Sequence, residues 1–139
     1  MKQQLVLFSA FIILIAIVSA APQQVLDVRE SVVNIKLSQS QTKTASFRVF
    51  NGGTTPLSIS YDTSALDLID RDGDRISLAF SDPSPISPNT EANVTITAHA
   101  DRRVDLENYG GKVTVRDRNS PANDTFVLNI DVSPEVCNY

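Results

Sequence analysis

An all-β chain folded as a two-sheet antiparallel sandwich is predicted by three features of the sequence. Apolar residues alternate with polar ones in run after run, which puts every second side chain on one sheet face. Turn residues separate the runs at short, regular intervals. No stretch after Ala21 carries a helical period, and β-branched residues and Thr dominate the runs. Seven or eight short strands in about 115 residues fit such a sandwich.

The clearest pair of runs is Thr44 to Asp62. Ala45, Phe47 and Val49 alternate with Thr44, Ser46 and Arg48, and Leu57, Ile59 and Tyr61 alternate with Ser58, Ser60 and Asp62. Between them, Asn51-Gly52-Gly53 supplies residues that tolerate positive φ, and Pro56 ends the loop, so the chain reverses here. Before this pair lie a short apolar opening, Val25 to Val28, and an alternating run through Val33, Ile35 and Leu37; the polar run Ser38 to Lys43 reads as a turn. After it, Leu66, Leu68 and Ile69 form a short strand. Arg71-Asp72-Gly73-Asp74 then turns the chain through an Asp-Gly hairpin signal into Ile76, Leu78 and Phe80. Ser81 to Asn89 holds Pro83, Pro85 and Pro88 and excludes a central strand. The last inward rows are Ala92 to Ala98, Val113 with Val115, and Phe126 to Val132.

A chain of 139 residues is one domain's worth. With 20% charged and 42% hydrophobic residues it has ordinary globular usage rather than the bias of a disordered chain. The net charge is −4, and acidic residues are dispersed, which argues against nucleic acid as a partner, since that needs a basic stripe.

The N-terminus locates the domain. Met1-Lys2 precedes an apolar run from Leu5 to Ala20 that ends in Val18-Ser19-Ala20, small at its last two positions. This is the charged, apolar, small-residue order of a secretory signal peptide. The other reading is an uncleaved anchor: Leu5 to Ala21 would measure roughly 25 Å as a helix, against an apolar slab of about 30 Å. The expected division is therefore a signal peptide or anchor helix at 1–21, the sandwich at 22–133 and a tail at 134–139. Both readings place the domain outside the cytoplasm, secreted or at the cell surface, touching membrane only through an uncleaved N-terminal segment.

The segments SFRVFNGGTTPLSISYD (from Ser46), ISPNTEANVTITAHA (from Ile86), YGGKVTV (from Tyr109) and FVLNIDV (from Phe126) occur in that order. As an ordered set, across roughly Val25 to Val132, they resemble the Ig-like modules of the abnormal-spindle/Hydin type and related repeats of archaeal and bacterial cell-surface proteins. The resemblance implies an Ig-like sandwich in an adhesive or scaffolding context and no reaction. Such modules commonly occur in series, whereas this chain carries one.

Candidate sites are few. Asp70, Asp72 and Asp74 crowd one tight loop around Gly73 and could offer oxygens to Ca²⁺; the spacing fails the EF-hand pattern, and a solvated hairpin whose Asp-Gly serves the turn is the plainer reading. Asn93-Val94-Thr95 and Asn123-Asp124-Thr125 are glycosylation sequons in an exported chain, although such tripeptides also arise by chance where Asn and Thr abound. Tyr109 is placed to form a tyrosine corner, its hydroxyl reaching backbone near Leu106, which is a structural role. His99, the only histidine, falls on the polar face, with no second ligand in register for zinc and no activated serine beside it. Cys137 is the only cysteine, so it offers an intermolecular disulfide or an inert thiol in a frayed tail.

No cofactor motif is present, and no enzyme activity is expected. The sequence points to a non-catalytic module that binds an extracellular protein or glycan. The alternative is a structural subunit of a surface filament or envelope layer, self-associating by β-strand addition through Gln23 to Leu37.

Overall fold

The computed structural model describes residues 25–134. They form nine strands: β1 (Leu26–Val28), β2 (Val32–Ser38), β3 (Thr42–Asn51), β4 (Ile59–Asp62), β5 (Leu66–Asp67), β6 (Ile76–Phe80), β7 (Glu91–Ala100), β8 (Asn108–Asp117) and β9 (Asn123–Ser133). The first sheet has the order β1-β3-β7-β6; the second has the order β2-β9-β8-β4, with β5 also on β8. The count exceeds the expected seven or eight because the short opening segment, β1, is a strand in its own right. The N-terminal segment 1–21 and Cys137 lie outside the described residues. Among the described residues no helix is long and apolar enough to cross a membrane.

Alternation converts directly into burial. Val33, Ile35 and Leu37 of β2, Phe47 and Val49 of β3, Val94, Ile96 and Ala98 of β7, and Phe126, Leu128, Ile130 and Val132 of β9 all face the space between the sheets. Burying each larger side chain is worth about 1.5–3 kcal/mol. Phe47 packs on Phe126 with ring centroids 4.4 Å apart and meets Tyr61 edge-on at 6.3 Å, while Tyr61 stacks on Phe80 at 4.6 Å.

Two expectations need correcting. The sandwich is not wholly antiparallel, because β2 pairs parallel to β9 over its whole length. The opening segment is divided: β1 pairs with β3 up to Val49, and after the kink at 29–31 the chain joins the second sheet. Period two fixes which face a residue occupies but not which strand lies beside it. Second, the strands flanking Asn51-Gly52-Gly53 do not pair with each other; β3 belongs to the first sheet and β4 to the second. The loop is an arch between layers, and neither Gly52 nor Gly53 has positive φ. Gly53 is there for close approach, since a Cβ would stand 2.7 Å from Val25 Cγ1.

The arches and turns gather at two ends. One holds the kink at 29–31, the Asn51 arch, the proline-rich loop and the β8–β9 turn; the chain enters here, with the Gly52 amide donating to the Val25 carbonyl at 2.8 Å. The other holds the β2–β3 turn, the 68–75 turn and the 101–107 loop, and the chain leaves there beside β2.

Candidate functional site

Among the described residues three polar side chains are buried: Asn51 (0% exposed), Asp70 (7%) and Asp117 (9%). Each continues an inward apolar row by the same period of two, after Phe47 and Val49, after Leu66 and Leu68, and after Val113 and Val115. A buried polar group must find partners or lose its hydration without return. All three find them in the backbone.

Asn51 Nδ2 donates to the carbonyls of Thr55 (2.8 Å) and Ile86 (2.9 Å), and its Oδ1 accepts the Gly53 amide (2.9 Å). Its own amide donates to Thr90, and its carbonyl accepts from Asn89. One amide side chain thus ties the arch to the proline-rich loop. Sequence reasoning took Asn51 for a turn residue; its inward register was the signal that could have found it.

Asp70, Asp72 and Asp74 do not form a cation cage. Asp70 turns inward, where Oδ1 accepts the amides of Asp72 and Asp74 (both 2.9 Å) and Oδ2 accepts the amide of Asp105 (3.0 Å). Its oxygens hold the Gly73 turn, where φ is 91°, and dock the 101–107 loop. Among the described residues no group of three or more His, Cys, Asp or Glu side chains could hold a metal ion. The same loop receives Gln39 Nε2 on the Val104 carbonyl (2.8 Å), and the Tyr109 hydroxyl donates to the Asp105 carbonyl at 3.0 Å, one residue before Leu106. Burial, with the carboxylates of Glu107, Asp70 and Asp105 nearby, pushes the Tyr109 hydroxyl well above the ordinary phenol range.

Asp117 accepts the amides of Ser58 (3.2 Å) and Asn119 (3.3 Å) and the hydroxyl of Ser120 (2.6 Å). Burial alone would raise its carboxyl, but these bonds outweigh it and hold the group below the usual carboxylate range. No buried side-chain nitrogen or oxygen among the described residues lacks a partner.

What faces outward is therefore what can meet a ligand. On the second sheet, Asn34, Lys36, Asn108, Asn129 and Asp131 ring a shallow depression of about 540 Å³. Asn129 Nδ2 donates to Asn34 Oδ1 at 3.2 Å, and Gly110 stands opposite Asn129 in the β8–β9 register. On the first sheet, Arg48 pairs with Glu30 (2.7 Å) and Glu91 (3.5 Å), and Arg29 pairs with Asp27 (2.8 Å) and Glu91 (3.3 Å). Arg29 also lies 4.4 Å over the Phe50 ring. Beside this cluster runs an uncharged field: Thr42, Thr44, Ser46, Thr95 and Thr97.

Asn93 is exposed near the start of β7, opposite Arg48, and Asn123 is exposed as the first residue of β9, its Nδ2 on the Pro121 carbonyl at 3.0 Å. They lie in different sheets. His99 is exposed, with Nδ1 2.9 Å from the Thr42 hydroxyl on one side and Ser77 of β6, also exposed, in register on the other. These positions do not converge on one site.

No protein-family model matches the chain, and no curated protein matches it. Its fold does match solved structures. The ASH/PapD-like domain 7 of human CEP192 aligns with a TM-score of 0.57 and 18% identity over 84% of this chain and 91% of that one. The CooA pilin subunit of enterotoxigenic Escherichia coli aligns at 0.55 and 13% over 81% and 99%. A family 123 glycoside hydrolase of Clostridium perfringens aligns at 0.56 and 16% over 76% of this chain but 23% of its own. Identities this low speak to architecture alone, and the architecture is an Ig-like, PapD-like β-sandwich.

Proposed function

We propose that the chain is an exported, non-catalytic Ig-like module of the cell surface that mediates protein or glycan interaction or scaffolding. The observation that carries the reading is the commitment of the buried polar groups. Asn51, Asp70 and Asp117 are each saturated by backbone or hydroxyl partners, so the polar chemistry open to a ligand is the solvated kind found on sheet faces. General acid–base or nucleophilic chemistry needs such groups poised in a cleft instead. The Asn-rich depression of the second sheet offers amide donors and acceptors of the kind that pair with hydroxyl-bearing or peptide ligands. Support for export comes from the charged, apolar and small residues of the N-terminal segment. Among proteins of the same fold, VesC of Vibrio cholerae is a secreted serine protease, of which the matched part is 23%.

A second reading, a structural subunit of a surface filament or envelope layer, is favoured by the divided opening segment. β1 and β2 belong to different sheets and carry Leu26, Val33, Ile35 and Leu37 inward, so Gln23 to Leu37 could deliver an apolar row to a neighbour.

Intact mass of the natively exported protein tests the first reading, with chromatography and electron microscopy to separate the two. Loss of the leader, with monomers or small discrete species, is expected for the module. Open polymers support the subunit. A cytosolic chain still beginning at Met1 overturns both.

A further inference from the structure

The two flanks of the sandwich are closed differently. On one, the chain crosses between the sheets twice past β6: the Ile76 amide donates to the Leu68 carbonyl (2.8 Å), and Leu57 and Ile86 exchange bonds at 2.8–2.9 Å. On the other, β1 covers only the last part of β3, its register ending at Val28 opposite Val49.

Hydrogen bonds fix which way the β3 backbone points. The Asn51 amide and the Gln41 carbonyl bond on the β7 side, to Thr90 and Ala100, whereas the Arg48 carbonyl accepts from Arg29 on the β1 side. Odd residues therefore serve β7 and even residues face β1. Beyond the end of β1, the amides and carbonyls of Thr42, Thr44 and Ser46 face an open flank, and no hydrogen bond from another described strand reaches them there. Glu30 closes the upper limit, its Oε2 accepting the Arg48 amide at 2.7 Å. All three residues are exposed.

We propose that this edge pairs antiparallel with the same edge of a second copy of the chain, with Thr44 on the two-fold axis. The register is selected by the residues themselves. Only registers that set even residues opposite even residues satisfy both backbones. The one centred on Thr44 opposes Thr42 to Ser46 of the second copy, uses all three residues on each side and makes six N–H···O=C bonds. It also places Lys43 opposite Ala45 of the second copy. Moving the centre toward the N-terminus opposes the two Lys43 side chains; moving it toward the C-terminus calls on the Arg48 amide, which Glu30 already occupies. A lysine on an edge ordinarily discourages pairing. Here it meets a small neutral neighbour, and the outward pairs are Thr with Thr and Thr with Ser, which are favourable across strands. The self-complementary, uncharged face selects a second copy over an unrelated strand. The patch is small, so the dimer is weak and concentration-dependent. This inference goes beyond the interaction reading and does not depend on export.

Sedimentation velocity of the leader-free chain, carrying Cys137→Ser to remove the tail thiol, should show a monomer–dimer equilibrium that shifts with concentration. Thr44→Pro removes an outward amide without touching the β7 ladder, so it should keep the circular dichroism and thermal midpoint while weakening the dimer at least tenfold. Amine cross-linking of mixed light and heavy-isotope protein should join Lys43 to Lys43 between copies, since diagonal neighbours lie about 7–8 Å apart. A monomer at every concentration, a dimer indifferent to Thr44→Pro, or intermolecular links confined to Lys36 and Lys112 would overturn the proposal. Each of those results leaves the interaction reading standing.

Discussion

The Asn51 arch and the Asp70 turn, at opposite ends of the sandwich, are each bolted by one buried polar side chain, and the two side chains are chemically opposite in what they offer. At the entry end Asn51 gives two hydrogen bonds to carbonyls and takes one from an amide. At the exit end Asp70 takes three from amides and gives none. The arch presents carbonyls to its bolt and the tight turn presents amides, so the loop backbones dictate the residue type. Neither site tolerates the other's side chain, although Asn and Asp are nearly the same shape.

That difference is breakable in a graded way. Asn51→Asp sets a carboxylate against the Thr55 and Ile86 carbonyls and should cost the most, about 4 kcal/mol of unfolding free energy by urea titration, more than Asn51→Ala. Asp70→Asn keeps an oxygen for the Asp72 and Asp74 amides but turns its NH₂ toward the Asp105 amide, so about 2 kcal/mol is expected. Gly73→Ala strains the same turn at φ 91° with open space around the new methyl, and should cost about 1 kcal/mol.

Asp117 supplies a pH test. Its folded carboxyl titrates below the unfolded value, so the stability it contributes is full above the unfolded pKa, about 4, and is lost as pH falls through the lower folded one. Wild type should lose stability over that acid window, and Asp117→Asn should flatten the loss while lowering stability at neutral pH. At the small end, Arg48→Gln removes solvent-exposed ion pairs to Glu30 and Glu91 and should barely move the thermal midpoint.

Much of this was legible in the sequence. Period two located the core rows, the Asp-Gly turn and the proline-interrupted loop, because face and turn are local properties. Partner identity is not local, which is why the parallel β2–β9 pairing and the inter-layer arch were invisible. The polar bolts stand between these cases. Asn51 reads as a turn residue and Asp70 as a cation ligand because each borders a loop, as Asp117 does at the end of β8. Yet each also occupies the next inward position of an apolar row, and counting the alternation one step further would have marked them as buried. Alternation puts Asn93 and the lone His99 on the polar face and the Asn123 acceptor falls in a turn, and the fold leaves the three apart from one another.

The acidic loop at the exit end is a backbone clamp in which the Asp70 carboxylate already serves three amides. Thermal melts of wild type and Asp70→Ala with calcium and with a chelator test it most directly. A wild-type midpoint unmoved by calcium is expected, with the variant midpoint lowered by the same amount in both buffers. A wild-type midpoint that climbs with calcium, and a variant that no longer responds, would contradict it.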